Sequence, residues 1–454
     1  MALVSLNPAT GRRISSHREH TRIEIERRVS RAALAQARWR TRGAEARAHH
    51  LQGLAESLRL HRDALASLAT SEMGKPITQA RAEIEKCALL CDYYATHAAR
   101  LLAAEHPPGA PRQARVSFEP IGVVLAIMPW NFPFWQVLRA AVPTLLAGNA
   151  VLLKHAPNVP GCALALERLF QEAGFPTGVF EVLLCGIDAV PALIADRRVH
   201  GVTLTGSTAA GKHVASLAGA AMKPGVYELG GSDPVLVLAD ADIPRAAETS
   251  AQARLLNSGQ SCVCAKRFIV VRAARSEFEE RFVARMAARR VGDPADPSTE
   301  VGPLARADLR EKLHAQVVAS VRKGARVLLG GAPLAGPGFY YAPTVLTDVR
   351  RGMPAFDEEI FGPVAAVVPV SDEAEAVRVA NDSAYGLGAA IFTRDRAKAR
   401  RLAPQLEAGC VFVNDFVRSS PELPFGGVKE SGYGRELGAW GVRSFANVKV
   451  VVGA

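Results

Sequence analysis

The sequence predicts an α/β protein built on parallel sheets that are covered by helices on both faces. From about residue 122 onward, short apolar runs alternate with amphipathic segments, and this pattern restarts after residue 228. Parallel strands produce such runs because helical crossovers bury both of their faces. With 454 residues, the chain is also too long for one ordinary hydrophobic core. These observations predict two successive α/β domains.

The N-terminal part of the chain is predicted to be helical. Thr21 and Glu24 have capping-box spacing, and an apolar stripe continues from there to about Thr70. Glycine and proline at residues 74–76 end this helix. A second helix is predicted over residues 77–102, before a loop rich in proline and glycine.

The remaining elements follow from the alternation of apolar and amphipathic segments. Strands are predicted at 122–127, 150–153, 179–184, 199–204, 234–238, 268–271, 325–329 and 365–368. Helices are predicted at 135–147, 160–173, 243–256, 276–290 and 308–323. The chain closes on an apolar strand, 445–452, which would be an exposed edge unless another strand pairs with it.

Composition excludes several classes of protein. No window of 18 apolar residues and no signal-peptide pattern is visible, so we expect a cytoplasmic protein without a membrane span. Seven scattered cysteines do not form a disulfide framework, and no metal site is predicted. The net charge of +11 is not gathered into a basic, aromatic face, so we expect no nucleic-acid partner.

One cysteine and one glutamate have sequence surroundings that suit catalysis. Cys262 lies in a glycine-containing loop between a predicted helix and a predicted strand, where backbone donors can approach it. Glu228 ends an apolar run and precedes two glycines, and a carboxylate in a partly dry cleft can activate water. Taken alone, either residue is also explained by an ordinary turn.

Three further segments suit the binding of a substrate and a nucleotide. Asn131 lies between two prolines directly after a predicted strand, and its amide could donate to an oxyanion. Gly206 and Ser207 join a strand to a helix start, whose free N–H groups bind phosphate. Glu359 could accept from sugar hydroxyls, and Phe361 could support a flat ring; both also have packing explanations.

Together these segments resemble the aldehyde dehydrogenase superfamily. The matching segments, in the family's order, are PWNFP at 129–133, GST at 206–208, ELGG at 228–231, GQSC at 259–262, EIFGP at 359–363 and PFGGVKESGYGRE at 424–436. The resemblance implies that Cys262 attacks an aldehyde, Asn131 holds the oxyanion and Glu228 activates the hydrolytic water. It also implies NAD or NADP as cofactor, bound by Trp130, Lys154, Gly206, Ser207, Glu359 and Phe361.

The resemblance also implies a domain organisation. A Rossmann-type cofactor domain would comprise residues 1–102 and 119–229, and a catalytic α/β domain would comprise residues 230–425. A small β oligomerisation flap would be formed by residues 103–118 and 426–454, in a homodimer or a homotetramer. Pro157 stands where many NAD-specific members carry a ribose-binding glutamate, so NADP use is plausible alongside NAD.

Within the family, two residues resemble those of succinate-semialdehyde dehydrogenases, and the variants KHAPN at 154–158 and ELGGSDP at 228–234 resemble the bacterial Sad-type branch of these enzymes. Arg139 follows Asn131 by eight positions and could pair with a substrate carboxylate; its alternative is a salt bridge between elements. Ser419 matches a substrate-contacting serine. A second family arginine is replaced by Leu256, and Arg254 or Arg418 could compensate for it.

We therefore expect oxidation of succinate semialdehyde to succinate. The alternative is a broader aldehyde dehydrogenase that acts on glutarate semialdehyde, lactaldehyde or similar small aldehydes. Intact Cys262, Glu228 and Asn131 argue against a non-catalytic cofactor-binding protein, and Glu228 argues against a CoA-acylating enzyme. Cys264 stands two residues from the nucleophile, where either a reversible disulfide or simple burial is conceivable.

Overall fold

The structure is a computed structural model that describes residues 2–453. Its helices are α1 (Arg22–Trp39), α2 (Ala44–Leu60), α3 (Arg62–Met73), α4 (Ile77–Leu101), α5 (Trp135–Leu146), α6 (Pro160–Glu172), α7 (Val190–Ala195), α8 (Thr208–Ala220), α9 (Ile243–Leu255), α10 (Arg272–Ala287), α11 (Ala307–Arg322), α12 (Pro354–Asp357), α13 (Glu373–Asn381), α14 (Arg396–Leu402) and α15 (Gly438–Arg443). Its strands are β1 (Ala2–Leu6), β2 (Arg13–Arg18), β3 (Ala114–Pro120), β4 (Val123–Met128), β5 (Ala150–His155), β6 (Phe180–Val182), β7 (Val199–Thr205), β8 (Gly225–Glu228), β9 (Pro234–Val237), β10 (Arg267–Val271), β11 (Arg326–Leu329), β12 (Thr344–Thr347), β13 (Val364–Val370), β14 (Tyr385–Gly386), β15 (Gly388–Phe392), β16 (Cys410–Val413), β17 (Val428–Lys429), β18 (Gly432–Tyr433) and β19 (Ala446–Val452).

The first large sheet has six strands in the order β18-β8-β7-β4-β5-β6. The five strands β8, β7, β4, β5 and β6 are parallel, and only the short β18 is antiparallel to its neighbour. Val123 and Leu125 of β4 pack into one buried cluster, and Ala126 and Met128 into another. Both faces of this sheet are therefore buried, which explains the continuous apolar runs in the sequence.

The second large sheet has seven strands in the order β11-β12-β13-β10-β9-β15-β16. All of its neighbouring pairs are parallel except β11 with β12. Phe268 and Val270 of β10 face one core, whereas Ile269 and Val271 face another. The predicted α/β class with two parallel sheets is confirmed.

The C-terminal strand pairs within the chain. Antiparallel β3 and β19 form a two-stranded ribbon, from Ala446 opposite Pro120 to Val452 opposite Ala114. Strand β3 begins later than the predicted segment 103–118 and continues two residues beyond it. Alternate valines of β19 remain open on one face of the ribbon, with Val448 59% and Val450 64% exposed.

The expected single helix from Thr21 to Thr70 was wrong. The capping box at Thr21 is present, but three helices follow it rather than one. Gly43 adopts an extended conformation and precedes α2, and His61 separates α2 from α3. The spacing of apolar residues stays helical across the breaks at Gly43 and His61. The sequence pattern therefore did not indicate where one helix ends and the next begins. Among residues 2–453, no helix is both long and apolar enough to cross a bilayer.

Candidate active site

A cleft opens at the carboxyl edge of the first sheet and contains about 820 Å³ of empty space, part of it open to solvent. From β4 the chain proceeds to β5 and β6 on one side and then to β7 and β8 on the other. Ligands of open α/β sheets bind where the strand order reverses in this way. The loop after β4 supplies Trp130 and Asn131 to the cleft wall, and the loop after β7 supplies Gly206 and Ser207.

The cleft brings together most of the site residues predicted from the sequence. Those that line it are Trp130, Asn131, Gly206, Ser207, Cys262, Glu359 and Phe361. Those that lie outside its lining are Arg139, Lys154, Glu228 and Ser419. The four residues outside the lining contact different partners in the structure.

The backbone before the nucleophile has an unusual conformation. Asn257 and Ser258 have left-handed φ angles of 53° and 55°, and both residues are fully buried. Such a conformation costs roughly 1–3 kcal/mol per residue away from glycine, so surrounding contacts must hold it. The Asn257 N–H donates to the Gln79 side chain at 2.7 Å, and the Asn257 amide donates to the Asn131 carbonyl at 2.7 Å.

Two buried cations hold the carbonyl groups of the same loop. Arg254 donates to the carbonyl oxygens of Gly259 at 2.6 Å and Gly362 at 2.7 Å. Lys266 donates to the carbonyl of Cys262 at 2.7 Å. The Arg254 guanidinium is therefore occupied by hydrogen bonds to backbone carbonyls, and the expectation that it could bind a substrate carboxylate was wrong. Neither cation was identified from the sequence in this role, because their partners are backbone atoms.

Asn131 is positioned from both sides. It is 4% exposed, and its side-chain Nδ2 donates to the Gln260 carbonyl at 3.0 Å. An amide carries two hydrogens, so one remains for an oxyanion that forms beside Cys262. The loop that carries Asn131 is anchored by Glu83, whose carboxylate accepts from the backbone N–H groups of Phe134 and Trp135, each at 2.9 Å.

The electrostatic surroundings keep the Cys262 thiol protonated at rest. Burial raises its pKa to about 12, and the charges of Glu359 and Glu228 raise it as well. Arg139 and Lys266 act in the opposite direction. The thiolate is the reactive form of cysteine, so this thiol must lose its proton in the course of the reaction.

We expect the alkylation of Cys262 by iodoacetamide to accelerate about tenfold for each pH unit between about pH 6 and about pH 9, because the thiolate fraction rises tenfold per unit below the pKa. The measurement is the pseudo-first-order loss of activity. Only Cys262 and Cys410 of the seven cysteines are not fully buried, so labelling of a Cys262→Ala variant reports the background at Cys410. A rate that levels off near neutral pH would contradict the raised pKa.

Glu228 lies in a buried charged cluster behind the nucleophile. Burial raises its pKa well above the usual range, the charge of Glu436 raises it further, and Arg139 opposes this. Within residues 2–453, neither Glu228 oxygen has a hydrogen-bond partner. Gly426 leaves room for the carboxylate, because a Cβ there would lie 2.7 Å from Glu228 Oε1.

Arg139 does not line the cleft, and its suggested role in binding a substrate carboxylate stays a prediction. Its guanidinium is 2% exposed, forms an ion pair with Glu436 and lies 4.8 Å from the centre of the Phe425 ring. A buried guanidinium is costly unless a carboxylate neutralises it, and Glu436 is the carboxylate that the fold supplies. The alternative interpretation, a salt bridge between elements, is the one that the structure supports.

The part of the cleft nearest α8 fits a dinucleotide. The Ser207 side chain caps α8 by accepting from the Ala210 N–H at 3.3 Å, and the helix N-terminus suits a pyrophosphate. Glu359 accepts from the Gly231 N–H at 3.0 Å, which orients its carboxylate. Phe361 lies edge-on to Trp130, with ring centres 5.8 Å apart.

Lys154 is not among the residues that line this cleft and lies near the end of β5. It is buried, and burial lowers its pKa, while Cys185 and Glu19 raise it. Pro157 follows three residues later and is exposed. No carboxylate stands at position 157, as expected from the sequence.

The chain has extensive similarity to known proteins. Residues 2–451 match the aldehyde dehydrogenase family. The chain is 48% identical to the succinate semialdehyde dehydrogenase [NAD(P)+] Sad of Escherichia coli K12, over 99% of this chain and 97% of that protein. It is 46% identical to a succinate-semialdehyde dehydrogenase [NADP(+)] 1 of Mycobacterium tuberculosis H37Rv, over 99% of each.

Solved structures have the same architecture. The succinic semialdehyde dehydrogenase of Streptococcus pyogenes, crystallised with NADP+, superimposes with a TM-score of 0.97 at 37% identity, over 99% of each chain. A structure named Gox0499 superimposes with a TM-score of 0.98 at 41% identity, over 100% of each chain.

Proposed function

The chain belongs to the aldehyde dehydrogenase family, and from this premise we propose that it oxidises succinate semialdehyde to succinate with NAD or NADP. The observation that carries this proposal is the 48% and 46% identity, over almost the whole chain, to proteins named for that activity. The matching arrangement of Cys262 and Asn131 around one cleft supports the chemistry. The comparisons do not favour the broader alternative.

In the first half of the reaction, Cys262 is the nucleophile. Its thiol loses a proton, its sulfur bonds to the aldehyde carbon, and the carbonyl oxygen becomes an oxyanion. The free hydrogen of the Asn131 amide and the Cys262 N–H stabilise this negative charge. Acceptance of the hydride from the same carbon is the chemistry that bound NAD or NADP would supply, and a thioester on Cys262 is the product of this half of the reaction.

In the second half, Glu228 is the base. A water molecule gives a proton to the carboxylate and attacks the thioester carbon, and the carbon–sulfur bond breaks to release the acid. The raised pKa of Glu228 suits this proton transfer, because the carboxylate then holds the proton more readily. Glu228 does not line the cleft at rest, so its side chain must turn away from Gly426 to act.

The dinucleotide fits the α8 end of the cleft, where Ser207 would hold the pyrophosphate and Glu359 would bind a ribose. Either NAD or NADP is compatible with Pro157, because no carboxylate at that position repels a 2′-phosphate. The names of the curated relatives support this breadth, since they include both NAD(P)+ and NADP+.

We also propose the domain division and the oligomer that the sequence predicted. Strands β4 to β8 support a cofactor domain over residues 119–229, completed by residues 1–102, and β9 to β16 support a catalytic domain over residues 230–425. Strand β18 joins the first sheet although it comes from the C-terminal segment. The open valine face of the ribbon formed by β3 and β19 supports a homodimer or a homotetramer.

The purified protein is expected to oxidise succinate semialdehyde with a kcat/KM about 100-fold above that for butanal, because butanal lacks the carboxylate, and one hydrogen bond to a charged group contributes about 1.5–3 kcal/mol. The measurement is NADH or NADPH absorbance, with each cofactor tested. Glutarate semialdehyde and lactaldehyde are included in the panel. Equal constants for succinate semialdehyde and butanal would contradict carboxylate recognition and favour the broader alternative.

A further inference from the structure

Lys266 lies directly behind the turn that carries the nucleophile. It precedes β10, and only 1% of its side chain is exposed. Its ammonium donates to the carbonyl oxygens of Ser261 at 3.1 Å, Cys262 at 2.7 Å and Cys264 at 3.4 Å. The turn over residues 261–264 therefore folds around one buried cation.

The surroundings of this ammonium compensate its charge. A buried cation is costly unless dipoles or a carboxylate neutralise it. Glu359 joins the three carbonyl dipoles, because its Oε1 lies 3.8 Å from Lys266 Nζ and also accepts from the Gly231 N–H at 3.0 Å. Gly231 in turn confines the Cys262 carbonyl, since a Cβ there would lie 2.6 Å from that oxygen. The Cys262 carbonyl is thus enclosed between the ammonium and a glycine.

The peptide bond between Ser261 and Cys262 carries one of the two donors proposed for the oxyanion. The carbonyl and the N–H of a trans peptide point in opposite directions, and residues 2–453 contain no cis peptide bond. Because Lys266 binds the Ser261 carbonyl, the Cys262 N–H in the same plane must point away from the ammonium. Within the described chain this N–H donates to no acceptor, so it is available to the oxyanion.

The ammonium also polarises this peptide. A cation at the carbonyl oxygen draws electron density from the amide nitrogen, and hydrogen bonds in a low-dielectric interior strengthen one another in this way. A flipped peptide would turn its carbonyl toward the oxyanion, and it would first have to break the bond to Lys266. Donors that are fixed before the reaction stabilise developing charge without any reorganisation. Lys266 therefore acts on a donor of the cleft, although it does not line the cleft itself.

We propose that Lys266 is a positioning residue that orients and polarises the oxyanion-binding N–H of Cys262. It acts through the Ser261 carbonyl, while its bond to the Cys262 carbonyl holds the next peptide in place. Asn131 supplies the other donor and is positioned separately, by its bond to Gln260. This inference rests on the proposed function, because it requires that Cys262 is the nucleophile of that reaction.

The test replaces Lys266 by methionine, which keeps an unbranched stem of similar length and removes the charge and the donors. The probe is p-nitrophenyl acetate without NAD or NADP, so that any change at Glu359 in cofactor binding does not enter. The Cys262 sulfur bonds to the ester carbon, p-nitrophenolate leaves with the electron pair of the broken bond, and water then releases acetate. Each step passes through an oxyanion, so we expect kcat to fall about 10- to 100-fold.

Alkylation of Cys262 separates stabilisation of the oxyanion from reactivity of the thiol. Its attack on iodoacetamide displaces iodide from a saturated carbon and forms no oxyanion. The charge of Lys266 opposes the burial that raises the pKa of Cys262 to about 12, so alkylation at a fixed pH should also slow in Lys266→Met. The ester rate should fall at least about fivefold more than the alkylation rate. Equal losses in the two rates would show that Lys266 acts on the thiol alone and would overturn the proposal.

Lys223 offers the matched control. Its ammonium also donates to two backbone carbonyls, those of Ile194 and Asp196, but it follows α8 outside the cleft lining. Lys223→Met removes the same kind of contact elsewhere in the chain and should leave both rates unchanged. A loss of ester rate in this variant as large as that in Lys266→Met would contradict a specific role for Lys266.

A second variant, Lys266→Gln, keeps a hydrogen-bond donor and removes only the charge. It should lose less of the ester rate than Lys266→Met, because its amide can still donate to a carbonyl of the turn. If Lys266→Met does not fold, the glutamine variant provides the comparison, and its ester rate must still fall more than its alkylation rate. A glutamine variant with native ester turnover would contradict polarisation by the charge.

Cys262→Ala distinguishes failure of this inference from failure of the proposed function. If Cys262→Ala loses both aldehyde oxidation and ester hydrolysis while Lys266→Met keeps the native ratio of the ester rate to the alkylation rate, the function stands and the role of Lys266 fails. If Cys262→Ala retains both activities, the assignment of the nucleophile fails, and the inference about Lys266 fails with it.

Discussion

Replacement of Cys262 by alanine is expected to lower kcat by roughly 10⁴- to 10⁶-fold with every aldehyde. The reason is that hydride can leave the aldehyde carbon only after a nucleophile has made that carbon tetrahedral. Cys262 is the sole thiol in the cleft lining within residues 2–453, so no neighbouring cysteine is placed to replace it. The measurement is initial NADH or NADPH formation under saturating conditions.

The control for this experiment is another cysteine that is not fully buried. Cys410 begins β16, outside the cleft lining, and a Cys410→Ala variant should retain the native rate. Cofactor binding to Cys262→Ala, followed by quenching of protein fluorescence, should persist because the residues that hold the dinucleotide are unchanged. A Cys262→Ala variant with native turnover would exclude covalent catalysis.

Replacement of Glu228 by glutamine is expected to lower steady-state turnover by about 10²- to 10⁴-fold, the usual contribution of a general base. Glutamine preserves the size of the side chain in its buried position but cannot accept the proton of water. Because the thioester forms before water is needed, the variant should still release about one equivalent of reduced cofactor per active site in a rapid burst. Stopped-flow absorbance measures the burst and the slow phase that follows.

Hydroxylamine distinguishes the two halves of the reaction. It is a strong nucleophile that attacks a thioester without a base, so it should accelerate the slow phase of Glu228→Gln. It should have no such effect on Cys262→Ala, in which no thioester forms. The absence of a burst in Glu228→Gln would show instead that Glu228 is required to deprotonate Cys262.

Much of the fold could be predicted because local pattern and tertiary burial agree. Strands β4, β5 and β7 lie within two residues of their predicted bounds, since both of their faces are buried and their runs are continuous. The hairpin of β1 and β2 was missed because its burial is partial and the residues of β2 are mostly polar. The break at Gly43 was missed because α1 and α2, on either side of it, both bury an apolar face with helical spacing.

The residues of the site that local sequence could indicate are those whose loops follow strands, such as Asn131 and Ser207. The direction of the Arg139 side chain could not be predicted, because it is decided by Glu436, far along the chain.

The left-handed pair Asn257 and Ser258 has a consequence for protein engineering. The loop that carries the nucleophile is locked through backbone carbonyls and buried amides, so random substitutions in it should mostly yield inactive proteins. Directed evolution of this enzyme should therefore leave this loop unchanged and vary other residues of the cleft wall.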